Sequence, residues 1–146
     1  MSVTGVTVGT MTTTEQARSL AERYFATMSA RAWDDFAELL ADDVRYDLPQ
    51  TRERIVGKDK YLRFNQEYPG DWQLTVTRLV VEGDSAAASV QFAVGAQEMV
   101  GLVFLEVRDG LVAQVTDFWP EPYDAPPGRE HLTEQAVSAR DRFAGF

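Results

Sequence analysis

The chain has 146 residues, 45% of them hydrophobic, with no Cys, one His and 23 Asp+Glu against 14 Lys+Arg. That length is the usual size of one domain with one hydrophobic core. The missing thiols exclude disulfides, thiolate nucleophiles and Cys-based zinc sites, and a lone His131 excludes a multi-His metal centre, leaving carboxylates as the remaining hard-cation ligands. A formal charge of -9, with the few Arg and Lys scattered, repels phosphate backbones, so no nucleic-acid partner is expected. With no secretory signal pattern and no apolar run of about 18 residues, the expectation is a soluble cytoplasmic protein without membrane association.

Residues 1–12 are small, Thr/Gly-rich and aperiodic, which predicts a flexible leader. Thr12 and Glu15 fit a capping box that opens a helix over 14–30, with Ala17, Leu20, Ala21, Tyr24, Phe25 and Met28 in one apolar stripe. A second helix is predicted over 32–41, burying Trp33, Phe36, Ala37 and Leu40, with Asp42-Asp43 as its stop. Val44 to Leu48 alternates as a short strand, placing Val44, Tyr46 and Leu48 on one face and Arg45 and Asp47 on the other. Pro49 ends it, residues 50–57 read as a polar loop, and a third helix follows near 58–68.

After Pro69-Gly70 the pattern becomes that of strands, at 72–82, 85–95, 97–108 and 111–119, with Gly83-Asp84 and Asp109-Gly110 as hairpin turns. This order implies an α+β fold, three helices covering one face of a curved antiparallel sheet. Both faces of the 97–108 strand read as apolar, so its outer face calls for a cover, either the C-terminal segment or, preferentially, a second copy of the chain. Four of the six prolines fall at positions 120, 122, 126 and 127 and forbid regular structure there, which makes 121–146 an arm with helix propensity returning over 132–143. The domain proper is thus expected over 13–120.

Asp117 is the anomaly of the sequence. In the last strand Leu111, Ala113, Val115, Asp117 and Trp119 share the more apolar face, so a carboxylate projects among hydrophobic neighbours. Unpaired there, it would cost several kcal/mol or have its pKa raised toward neutrality, as a general acid or base requires; a strand-end Asp reaching solvent or an Arg is the other reading. Asp47 is a second candidate at a strand end where a bulge can re-aim a side chain, against the reading of an exposed ion pair. Tyr24 and Tyr46 can each bring a hydroxyl to the edge of an apolar pocket, or serve as core tyrosines with backbone partners. Trp33, Phe64, Phe92, Phe118 and Trp119 are candidate walls of such a pocket.

The run from Arg23-Tyr24 through Trp33, Phe36 and Leu39-Leu40-Ala41-Asp42-Asp43-Val44 to Pro49, with Gly57 opening a helix and Val115-Thr116-Asp117-Phe118-Trp119 closing the last strand, resembles the nuclear-transport-factor-like superfamily. Its members include SnoaL-like polyketide cyclases, ketosteroid isomerases and limonene-epoxide-hydrolase-like enzymes. The resemblance spans about residues 13–120 and implies a cone-shaped α+β barrel around a deep pocket, usually in a homodimer. It places Asp117 where cyclases and epoxide hydrolases keep a cavity aspartate, and Tyr24 where ketosteroid isomerases keep an oxygen-polarising tyrosine. Other family positions differ: the isomerase base falls on Leu48, one residue from Asp47, and its second acid near Val103. The 85–95 strand lacks the paired Arg and Asp of the epoxide hydrolases, and Thr116 stands where an Arg is usual. The expectation is a cofactor-independent cyclase or isomerase, needing no metal, that acts on a hydrophobic carbonyl-bearing or polyketide-like molecule. A non-catalytic ligand-binding or dimerisation module on the same fold is the alternative.

Overall fold

The computed structural model describes residues 12–135, so most of the leader and the 136–146 part of the arm lie outside it. Helix α1 (Thr13–Ser29) opens as expected: Thr12 Oγ1 accepts from the Glu15 N–H and the Glu15 side chain accepts from the Thr12 N–H, both at 3.0 Å. Its buried residues are Ala17, Leu20, Ala21, Tyr24, Phe25 and Met28, the predicted stripe. Helix α2 (Trp33–Glu38) is shorter than its pattern suggested. Leu40, assigned above to its buried face, instead starts β1 (Leu40–Leu48) and is fully buried there. Asp42-Asp43 therefore bend a strand rather than stop a helix, and the pairing of β1 shifts register between Leu40 and Arg45.

Strand β2 (Glu53–Val56) occupies what reads as a polar loop; it is short and opens on the exposed, charged Glu53 and Arg54, which suit an edge strand. Helix α3 (Lys58–Gln66) precedes β3 (Trp72–Glu82), β4 (Ser85–Val94), β5 (Gln97–Arg108) and β6 (Leu111–Phe118), and a 3₁₀ turn at Glu130–Leu132 stands in the described part of the arm. Asp109 and Gly110 both have positive φ, the conformation a two-residue hairpin turn demands. The sheet runs β2-β1-β6-β5-β4-β3. Adjacent strands are antiparallel except β1 and β6, which are parallel, so the α+β cone is built on a mixed sheet that does not close.

Two bulges set which side chains face inward. On β3, Thr77 is skipped between the Val76–Val90 and Arg78–Ser89 pairs. Leu74 and Val76 before it, and Leu79 and Val81 after it, all pack on the core. On β6, Ala113 is skipped between the Val107–Val112 and Glu106–Gln114 pairs. Val112 is consequently as buried as Val115 and Asp117, whereas strict alternation had placed it opposite them. Helix α1 packs against β3 and β4 and α3 against β1, and the fully buried Phe36 of α2 plugs the space between the helices and the sheet. Among the described residues, no helix is long and apolar enough to cross a membrane.

Candidate active site

A cavity of about 500 Å³ opens between the helices and the concave face of the sheet. Helix α1 contributes Tyr24, Phe25 and Met28, and α3 contributes Tyr61, Phe64 and Asn65. The strands add Tyr46, Leu48, Trp72, Phe92, Val103 and Asp117, and residues 119–122 border it beyond the end of β6. No Lys, Arg or His is part of this lining among the described residues.

Asp117 is 9% exposed. Its Oδ2 accepts the Tyr46 hydroxyl at 2.6 Å and, more weakly, the Trp119 indole N–H at 3.4 Å. Its Oδ1 is shielded from solvent and has no hydrogen-bond partner among the described residues. Burial pushes the carboxyl up to about 6, against the two hydrogen bonds, which favour the ionised form. Such a group is half-ionised near pH 6, so near neutrality one carboxyl can both take and return a proton.

Behind it lies a cluster of phenols. The hydroxyls of Tyr24 and Tyr61 are hydrogen-bonded to each other, and the Tyr61 ring stacks on Tyr46 with centroids 4.7 Å apart. Burial is the main cause that raises all three phenols above their ordinary value, with the Asp117 charge adding to it, so each remains a neutral hydrogen-bond donor. Because Tyr46 gives its proton to Asp117, the donor left for a ligand oxygen comes from the Tyr24–Tyr61 pair. Two phenols sharing one hydrogen bond use one of their two protons in it.

Of the residues singled out in the sequence, Asp117, Tyr24, Tyr46, Phe64, Phe92 and Trp119 come together on this cavity. Asp47 does not, and the expectation of a catalytic role for it is corrected. No bulge intervenes between it and Tyr46, so it keeps the opposite face of β1. There Arg54 of β2 grips it bidentately at 2.7 and 3.1 Å and Gln114 donates at 3.2 Å, and the Arg54 hydrogen bond holds its carboxyl below the usual range. Phe118, expected as a wall, lies on the outer face for the same reason of alternation and packs edge-on against Phe104. Trp33, also expected as a wall, packs edge-on against Phe36 at the start of α2 and is not part of the lining.

Tyr61, Asn65 and Trp72 were not singled out as site residues. The first two had a signal in Tyr61, Phe64, Asn65 and Tyr68, which stand at helical spacing along one stripe that sets an amide, Asn65, among three aromatic rings. Gln50, in the turn after β1, also borders the cavity and accepts the Trp119 backbone N–H. Nothing in its sequence context marks it. Among the described residues, no group of three or more His, Asp or Glu is arranged to hold a metal ion.

Comparison with known proteins agrees with this architecture. A protein of Kribbella flavida DSM 17836, provisionally named a ketosteroid isomerase, is 65% identical, covers 92% of this chain and 99% of its own, and superposes with a TM-score of 0.87. An NTF-2 like protein of unknown function from Burkholderia xenovorans LB400 is 24% identical, over 84% of this chain and 96% of its own, with a TM-score of 0.72. A protein of Xanthomonas campestris pv. campestris provisionally named a polyketide cyclase is 22% identical, over 75% and 93%, with a TM-score of 0.62. The latter two share the fold. No curated protein matches the sequence at a significant level. Residues 21–115, from the second half of α1 through α2, α3 and the sheet up to the middle of β6, match the SnoaL-like domain family, and the chain belongs to that family.

Proposed function

We propose that the chain is a cofactor-independent cyclase or isomerase that moves a proton on an apolar, carbonyl-bearing small molecule, with Asp117 as general base and then acid. The observation that carries this reading is one buried carboxyl on the wall of an apolar cavity, with Oδ2 held by Tyr46 and Oδ1 uncommitted. The Asp117 carboxylate takes a proton from the carbon next to the carbonyl, and the electron pair moves onto the carbonyl oxygen. That oxygen receives the free proton donor of the Tyr24–Tyr61 pair, which stabilises developing negative charge without a metal. Asp117 returns the proton at another carbon in an isomerisation; in a cyclisation the enolate carbon attacks a second carbonyl carbon of the same molecule, whose π pair moves onto its oxygen and takes the proton back from Asp117. The name given to the Kribbella flavida relative favours the isomerase branch. A lining with two acids, Asp117 and Glu121, and no base disfavours anionic substrates.

The test is hydrogen–deuterium exchange at the α-carbon of apolar cyclic ketones, followed by NMR in D2O. Exchange should be accelerated by the protein with a pH profile bending near 6 and should fall by about 10²–10⁴ in Asp117→Asn. Undiminished exchange in a folded Asp117→Asn protein would overturn the assignment.

The same family reading extends to assembly. Leu102 and Phe104 of β5 and Val80 of β3 are 42%, 43% and 49% exposed. The outer face of the sheet is thus proposed as the contact between two copies of the chain.

A further inference from the structure

Gly101 stands in the middle of β5, with Val100 before it and Leu102 after it. A glycine inside a strand contributes no side-chain packing and leaves the unfolded chain more freedom to lose, and no positive φ requires one here. The Trp119 ring does. A Cβ at position 101 would lie 2.6 Å from Cε3 and 2.7 Å from Cδ2 and Cζ3 of the indole. Leu102 pairs with Phe118 and Val103 with Asp117, so the chain leaving β6 brings Trp119 alongside Gly101. Its ring crosses the bare backbone of β5 and meets Phe92 on β4 edge to face, with centroids 5.5 Å apart. From that seat the indole N–H reaches Asp117 Oδ2 at 3.4 Å.

We propose that Gly101 is a positioning residue: by having no side chain it seats the Trp119 indole across β5, so that Oδ2 of Asp117 is held by two donors and the carboxyl of the working acid is fixed in place on the cavity wall. Tyr46 alone leaves Oδ2 with room for a further donor, such as a ligand hydroxyl; the indole fills that position. The ring also closes the cavity wall between β6 and Phe92, so Gly101 fixes both how the acid is held and how far a ligand can extend beside it. The inference rests on Asp117 as the working acid, and its test reads Asp117 directly and independently of turnover.

In the intact protein, the Trp119 indole N–H resonance should follow the Asp117 titration, with a midpoint near 6 in both signals. In Gly101→Ala the indole resonance should cease to follow it and the carboxyl midpoint should rise. Trp119→Phe, which removes the N–H and leaves Gly101 in place, should raise the midpoint as well. A folded Gly101→Ala protein with an unchanged indole titration and carboxyl midpoint would overturn the proposal, as would an unchanged midpoint in Trp119→Phe. If Gly101→Ala does not fold, Gly101→Ala in a Trp119→Ala background decides. Folding equal to that of Trp119→Ala alone supports the ring as the reason for the glycine, and failure of the double variant overturns it. Loss of the catalytic assignment through the ketone exchange test would leave every one of these readouts unchanged.

Discussion

The Tyr46 hydroxyl donates to Asp117 Oδ2 across 2.6 Å, from one member of the parallel β1–β6 pair to the other. Tyr46 is in register with Val115, so the bond runs diagonally to the next inward-facing residue of the neighbouring strand. The phenol stabilises the ionised carboxyl more than the protonated one. Tyr46→Phe should therefore move the Asp117 midpoint upward from about 6, by about one unit for a hydrogen bond of ordinary strength to a charged group. Carbon-detected NMR of the labelled carboxyl measures it.

Asp117 also makes stability depend on pH in a direction opposite to that of a paired surface acid. Its folded pKa, about 6, lies above its ordinary value of 3.8, so the folded state binds a proton that the unfolded chain releases. The associated stability is complete below pH ~4 and is lost as pH rises through ~6, an amount of about 3 kcal/mol from the two-unit difference. Asp117→Asn keeps an uncharged acceptor for Tyr46 and lacks this dependence. The stability difference between the two proteins should widen in favour of the Asn variant from pH 4 to 7 and then level off, as urea titrations at each pH would show. The remaining acids are common to both proteins and cancel in the difference.

Asp47 provides the contrasting case. Its folded pKa is lowered by Arg54, so what it contributes is present at neutral pH and lost as the pH falls below the ordinary carboxylate range. It is partly solvated and lies outside the cavity, where screening keeps such a pair weak. Asp47→Asn should leave ketone exchange and the Asp117 midpoint unchanged. A large loss of exchange in this variant would place the chemistry on the wrong face of β1.

Phe104, packed edge to face on Phe118 and 43% exposed, is the natural probe of the outer sheet face. If two copies meet there, Phe104→Glu buries an unpaired charge at the contact, and sedimentation should show the dimer of the parent protein converted to monomer with its circular dichroism retained. A parent protein that sediments as a monomer would remove the proposal.

Phe36 is fully buried and rings it with Tyr24, Trp33 and Tyr61, so truncation empties the junction of all three helices. Phe36→Ala should cost about 3–5 kcal/mol of stability. Because two of its neighbours are the paired phenols, ketone exchange should fall too, even under conditions where the variant is folded.

Where local chemistry is strong, the sequence could be read closely. The Thr12–Glu15 box and the 3.6-residue stripe define α1, and period-two alternation across Asp109-Gly110 defines the β5–β6 hairpin. Asp117 was visible because the alternation that exposes it operates over the few residues from Val115, downstream of any irregularity. Tertiary pairing decided the rest. Leu40 satisfies a helical stripe equally well until β6 offers it a partner, and Glu53–Val56 becomes a strand only because β1 has a free edge. Gln50 and the Tyr24–Tyr61 bond join residues far apart in the chain and leave no trace in local spacing. Asp47 shows the converse: simple alternation was right, and the re-aiming bulge invoked for it is absent from its end of β1.

The skipped residue Ala113 gives β6 two halves of opposite parity. Counted from Val112, Asp117 is five steps along the strand, an odd number, yet both side chains face inward. The half that anchors the strand, where the Val112 N–H also donates to the Leu39 carbonyl, is thereby uncoupled from the half that carries the acid. Straightening the bulge with Ala113 retained would leave the anchor in place and turn Asp117 and Trp119 outward while bringing Thr116 and Phe118 in, whereas deleting Ala113 would restore plain alternation and keep Asp117 inward. A one-residue slip in register, with no change of sequence, would thus exchange a chemical pocket for an inert one within an otherwise intact scaffold.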